Sequence, residues 1–144
     1  MKFVAKIAIL GLSFGLNTLT QAAPLSSTIP LNNGAILPGK TFTITTSGLY
    51  PNVKYDVVCH LMNNSSNTTE TKSHFALYRS KFSTAYVDDK EIYAGSGEVN
   101  SFNPKGSILK IHGVNRETND ITLMNLDFTE PYIVSDCKAI LIVK

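Results

Sequence analysis

The sequence predicts an all-β protein, a single small antiparallel β-sandwich tied by one disulfide. Three observations carry that prediction. Short runs rich in β-branched and aromatic residues, several of them alternating apolar with polar, fill the chain after residue 40. Clusters of Gly, Pro, Asn and Asp separate these runs at short intervals, and no segment beyond the N-terminus shows a capped helical period. Two cysteines, Cys59 and Cys137, both fall inside predicted strands.

The chain of 144 residues opens with Lys2 and Lys6, then an apolar run from Ile7 to Leu16 broken only by Gly11, Ser13 and Gly15. A polar stretch leads to Ala22 and Ala23. This order of basic, apolar and small-residue regions predicts a secretory signal over 1–22, cut after Ala22, with Pro24 one residue clear. The apolar run is far shorter than the ~20 residues that cross a bilayer, so no membrane insertion is expected once the signal is removed. The short two-lysine signal reads as bacterial, and the expected location is periplasmic or secreted. The signal holds two of the 13 basic residues and none of the 11 acidic ones, so the mature chain is formally neutral. A neutral domain has little pull on phosphate backbones, which argues against nucleic acid as a partner.

After the signal, residues 23–40 read as an N-terminal segment with prolines at 24, 30 and 38, and 41–144 as the sandwich domain. Thr41 to Thr46 (TFTITT) is the first strand. Val53, Tyr55, Val57, Cys59 and Leu61 then alternate with Lys54, Asp56, Val58 and His60, which puts Cys59 on an inner face. Further strands are expected at His74 to Tyr78, Phe82 to Val87, Glu91 to Ala94, Gly97 to Phe102, Ser107 to His112, Asp120 to Thr129 and Tyr132 to Val143. In the last, Ile133, Cys137, Ala139, Leu141 and Val143 share a face. In an oxidising compartment two inward strand cysteines are expected to pair. Asn63 to Thr71 (NNSSNTTET) has nothing apolar to bury and is an exposed loop. It carries glycosylation sequons at Asn63, Asn64 and Asn67, relevant only to a eukaryotic source.

Leu49, Pro51 and Tyr55, within Gly48 to Val57, resemble the corner before a late strand in fibronectin type III modules and related immunoglobulin-like sandwiches. The resemblance spans some ten residues. It implies an immunoglobulin-like architecture in which the Tyr55 hydroxyl bonds back to the chain. A cysteine pair joining the two sheets would suit that plan. Only about two strands precede this corner, fewer than in a fibronectin module, and no tryptophan is available to pack on the disulfide.

No catalytic, cofactor or metal motif is present. His60, His74 and His112, with Met62 and Met124, are residue types that suit a soft metal, but their spacing matches no metal motif. Asp88, Asp89 and Glu91 read as a turn and strand start rather than a calcium site. Gly95-Ser96-Gly97 reads as a hairpin turn, without the spacing of a nucleophile elbow. Tyr78, Tyr86 and Tyr93, with Phe75 and Phe82, read as core bulk, the alternative being an outward aromatic surface. The expected function is a non-catalytic exported binding domain for a protein or glycan, in a bacterial accessory or host-facing role. The alternative is a structural subunit joined by strand addition along Lys138 to Val143.

Overall fold

A computed structural model describes residues 27–65, 68–78, 84–95, 97–118 and 120–143. The signal expected at 1–22 lies outside them. Eleven strands are seen among the described residues: β1 (Thr28–Pro30), β2 (Gly34–Ile36), β3 (Thr41–Ile44), β4 (Tyr55–Asn63), β5 (Ser73–Leu77), β6 (Thr84–Val87), β7 (Lys90–Ile92), β8 (Asn100–Phe102), β9 (Ser107–Val114), β10 (Ile121–Asn125) and β11 (Tyr132–Leu141). A 3-10 turn, Arg116–Thr118, precedes β10.

The strands form two packed antiparallel sheets. The larger runs β1-β11-β4-β9-β6-β7, with β2 also on β11, and the smaller runs β3-β10-β5-β8. The pairing is nested. β2 pairs with β11, β3 with β10, β4 with β9 and β5 with β8, while the β6–β7 hairpin lies at the middle of the chain. The chain is therefore one long antiparallel ribbon rolled onto itself, so that β11 also meets β4, β10 meets β5 and β9 meets β6. The two sheets face each other as in immunoglobulin-like sandwiches, and the nested connections are those of a jelly roll.

Several expectations change. Within the segment expected at 23–40, β1 and β2 pair along β11, so strands of the sandwich are present from Thr28 rather than from Thr41. These strands have three residues each and are interrupted by Leu31–Asn33, too short for periodicity to register. The C-terminal strand is interior, held by β1 on one side and β4 on the other, and offers no free edge for strand addition. The strand expected to run to Thr129 stops at Asn125, because the Asn125 side chain turns the chain there by accepting from Asp127 N at 2.7 Å.

A bulge alters the face of β11. Ser135 pairs with His60 and Lys138 with Val58, so Asp136 and Cys137 together oppose Cys59. Asp136 takes a positive φ of 53°, which absorbs the extra residue. The inward set is therefore Tyr132 and Val134 before the bulge and Cys137 and Ala139 after it, while Ile133 faces out. The disulfide joins Cys59 and Cys137 on these neighbouring strands of one sheet rather than across the two sheets. Its closed loop spans 78 residues, worth about 4 kcal/mol in the chain-entropy account.

The inner faces of both sheets supply the core, with Tyr55, Val57, Leu61, Leu109 and Ile111 from one and Ile44, Phe75, Leu77, Ile121 and Leu123 from the other. Phe102 packs edge-on against Phe75 and Tyr132, with centroids 5.9 and 4.9 Å apart. At the expected corner Leu49 is buried, and Asn52 follows Pro51 with φ 65°, as a type II turn requires. The Tyr55 hydroxyl does not bond back to the chain. It is buried and has no hydrogen-bond partner among the described residues.

Two stability predictions follow from this packing. Tyr55→Phe removes an unpaired buried hydroxyl, so chemical denaturation should show no loss, or a gain of up to about 2 kcal/mol. A Cβ added at Gly34 would lie 2.5 Å from Phe42 Cε1, where β2 passes β3. Gly34→Ala should therefore cost about 1–3 kcal/mol in the same assay.

Candidate functional site

The loops between β4 and β5 and between β10 and β11 meet at one end of the sandwich. Asn63, at the end of β4, is buried, and its amide donates to Glu130 Oε1 at 2.6 Å and Ser73 Oγ at 3.2 Å. Asn64 N donates to Pro131 O. Asn63 is thus occupied holding two loops together, which closes that sequon to modification in the folded chain.

The β10–β11 loop is organised by its own side chains. Asn125 donates to Ile36 O and Glu130 O, each at 2.8 Å. Asp127 Oδ1 accepts from Thr129 N and Glu130 N, at 3.0 and 3.2 Å. Short Asx contacts of this kind fix a turn without a regular element. They hold Phe128 at the tip, where it is 95 % exposed.

Phe128 stands between two hollows of different chemistry. On one side is a polar cleft of about 680 Å³, lined by Thr69, Glu70, Lys72, His74 and Asp127. On the other is an apolar notch of about 220 Å³, lined by Pro38, Gly39, Met124 and Leu126. Carboxylate oxygens of Glu70, Asp127 and Glu130 come within 4.8 Å of one another. Such oxygens suit a hard cation, although Glu130 Oε1 and Asp127 Oδ1 are already engaged by donors.

Beneath the cleft, Tyr132 joins the sheets. Its hydroxyl donates to His74 O and accepts from His74 N, both at 3.0 Å. This is the link between sheets that was expected of Tyr55. Burial pushes the Tyr132 pKa above its ordinary value, and the nearby Asp127 and Glu70 carboxylates act in the same direction, against the His74 backbone contact.

The residues singled out from sequence are dispersed. His60, Met62 and His112 lie on the outer face of the large sheet, whereas His74 and Met124 lie on that of the small sheet. His112 Nδ1 meets Asp56 Oδ1 at 2.6 Å, and His60 lies 3.7 Å from Asp136. Asp88 and Asp89 form the β6–β7 turn, with φ of 49° and 68°. The Asp88 carboxylate is taken by Ser107 Oγ and Ile108 N. The three tyrosines are not core. Tyr78 and Tyr93 are 39 % and 66 % exposed, and Tyr86 lies half-buried beneath Lys110, whose Nζ is 5.3 Å from the ring centroid. Phe75 is buried, while Phe82 and Ser96 lie outside the described residues.

Phe128 and Asp127 fall within the single strand expected from Asp120 to Thr129, and Glu70 within the exposed loop expected from Asn63 to Thr71, so neither stretch stands out as a site in the sequence. The available signal was Asn125-Leu126-Asp127, followed by Thr129-Glu130-Pro131, a turn composition surrounding a lone aromatic.

Fold and site together define a two-sheet, disulfide-tied jelly roll with an amphipathic loop end. No protein-family model, curated protein or solved structure matches this chain.

The Tyr132 link makes stability sensitive to alkali. A folded-state pKa above the ordinary ~10 means the unfolded chain gives up this proton first, so stability is intact below about pH 10 and falls as pH rises through the folded value. Urea midpoints between pH 7 and 11 should show that fall. Tyr132→Phe should flatten it while costing about 1–3 kcal/mol at pH 7.

Proposed function

We propose that this chain is a non-catalytic, exported binding domain that engages its ligand through the loop end around Phe128. The observation that carries the reading is the presentation of Phe128. A large apolar side chain is held almost wholly in water by a loop fixed through Asn125 and Asp127. An aromatic fixed before binding loses little conformational freedom when a ligand covers it, which is the usual economy of a recognition site.

Export is supported by the basic, apolar and small-residue order of residues 1–22 and by the Cys59–Cys137 bridge, which suits an oxidising compartment. The periplasm or exterior of a bacterium is the setting we infer. Among the described residues no helix is long and apolar enough to cross a membrane. A non-catalytic role is supported by the use of the local polar groups: Asp127, Glu130, Asn63 and Asn125 are engaged in fixing loops. The partner in this reading is a protein or a glycan.

The test is capture from native extracytoplasmic fractions by crosslinking to the oxidised mature chain. Phe128→Ala should lower specific capture by about tenfold or more, the scale of a lost aromatic anchor, with an unchanged melting temperature. Equal capture by wild type and variant would move the binding surface away from this loop.

A further inference from the structure

The two outer faces of the sandwich differ in charge. That of the large sheet carries Asp56, His60, Lys110, His112 and Lys138. On the small sheet the outward strand positions are Thr41 and Thr43 of β3, Thr122 and Met124 of β10, His74 and Ala76 of β5, and Ser101 of β8. None of these is Asp, Glu, Lys or Arg. Hydroxyls and short apolar groups alternate across the face, and Thr43 Oγ1 lies 3.2 Å from Thr122 Oγ1.

This face runs directly into the loop end. Outward Met124 is followed on the same side by Leu126, and both line the apolar notch against Phe128. At the other end Tyr78 lies across Met124, with its hydroxyl 3.3 Å from the thioether sulfur. Tyr78, Met124, Leu126 and Phe128 thus form a partly exposed apolar track beside the threonines. At ~3.3 Å per residue the stretch from Thr122 to Leu126 alone covers about 13 Å, which exceeds the width of a single sugar ring.

We propose that this track binds a carbohydrate chain of neutral hexose or N-acetylhexosamine units, taken ring-face-down on Phe128 and continuing towards Tyr78. The inference deepens the binding reading above and rests on it. A pyranose presents an apolar C–H face and a rim of hydroxyls. The track supplies the corresponding apolar surface, with hydroxyls alongside from Thr41, Thr43 and Thr122. Where the track opens into the polar cleft, the carboxylates of Glu70 and Asp127 can accept hydrogen bonds from sugar hydroxyls, and Lys72 can donate to sugar oxygens. The carboxylates of Glu70, Asp127 and Glu130 outnumber that lysine, so they repel sulfated, phosphorylated or uronate chains. The chemistry therefore selects an uncharged glycan.

The test is migration of the oxidised mature protein in native gels containing mixed-linkage β-glucan, galactomannan or amylopectin, with pull-downs on chitin. Alginate and heparin serve as anionic controls. We expect retention by at least one neutral or N-acetylated glycan. Phe128→Ala and Tyr78→Ala should each weaken it tenfold or more, while Lys110→Ala on the opposite face leaves it unchanged. Melting temperatures establish that all three variants are folded. Absence of retention by every such glycan, stronger retention by the anionic polymers, or retention indifferent to Phe128 would overturn the proposal. The crosslinking capture separates the two readings. Phe128-dependent capture of a protein without glycan retention removes the carbohydrate and keeps the binding domain, whereas independence from Phe128 in both assays removes both.

Discussion

Tyr132 reaches from the large sheet to bond both backbone groups of His74 in the small one, and its inward position depends on one extra residue in β11. After Asp136 takes its positive φ, the alternation changes phase, so Tyr132 and Val134 point inward together with Cys137 and Ala139. Without the bulge, a strand with Cys137 inside would place Ile133 inside and turn Tyr132 to solvent. The bulge thus reconciles two demands on one strand, the disulfide at its middle and the hydroxyl link at its start. The bridge in turn fixes Cys59 against the bulged pair, which pins the register of β4 on β11.

From that register the loop end follows. β4 ends at Asn63, directly opposite Tyr132, and the buried Asn63 amide lies within reach of Glu130. Asn125 ends β10 and turns the chain towards Pro131, with Phe128 outermost. The rolled ribbon brings these distant segments together, because nested pairing returns the β4–β5 and β10–β11 connections to the same end. Side-chain hydrogen bonds then supply the rigidity that a regular element would otherwise give.

The opposite faces of the sandwich serve different physical ends. Charged and aromatic groups on the large sheet are paired with one another, as Asp56 is with His112 and Lys110 with Tyr86. Both faces leave apolar groups open to solvent, Met62, Ile108 and Ile140 on the large sheet and Tyr78 on the small one, but the outward strand positions of the small sheet carry no Asp, Glu, Lys or Arg. That asymmetry adds to the presentation of Phe128 as support for the proposed binding surface on the small sheet and its loop end.

By itself the sequence determined the all-β class, most of the strands after residue 40, the inward face of β4 and the pairing of Cys59 with Cys137. These are local properties: a two-residue period, turn chemistry and the redox setting suffice to read them. Tertiary structure alone decided the jelly-roll order, since strand adjacency depends on contacts far apart in the chain. It also decided the places of β1 and β2, whose three residues carry no readable period and gain their meaning only by pairing with β11. The bulge at Asp136 had no local signature, and it reassigned Ile133 and Tyr132 to opposite faces. For the same reason the hydroxyl expected to brace the fold belonged to Tyr132 rather than Tyr55. The exposure of Phe128 likewise came only with the turn after Asn125, which set it at the tip of a loop, because exposure is a property of the packed chain and not of the residue.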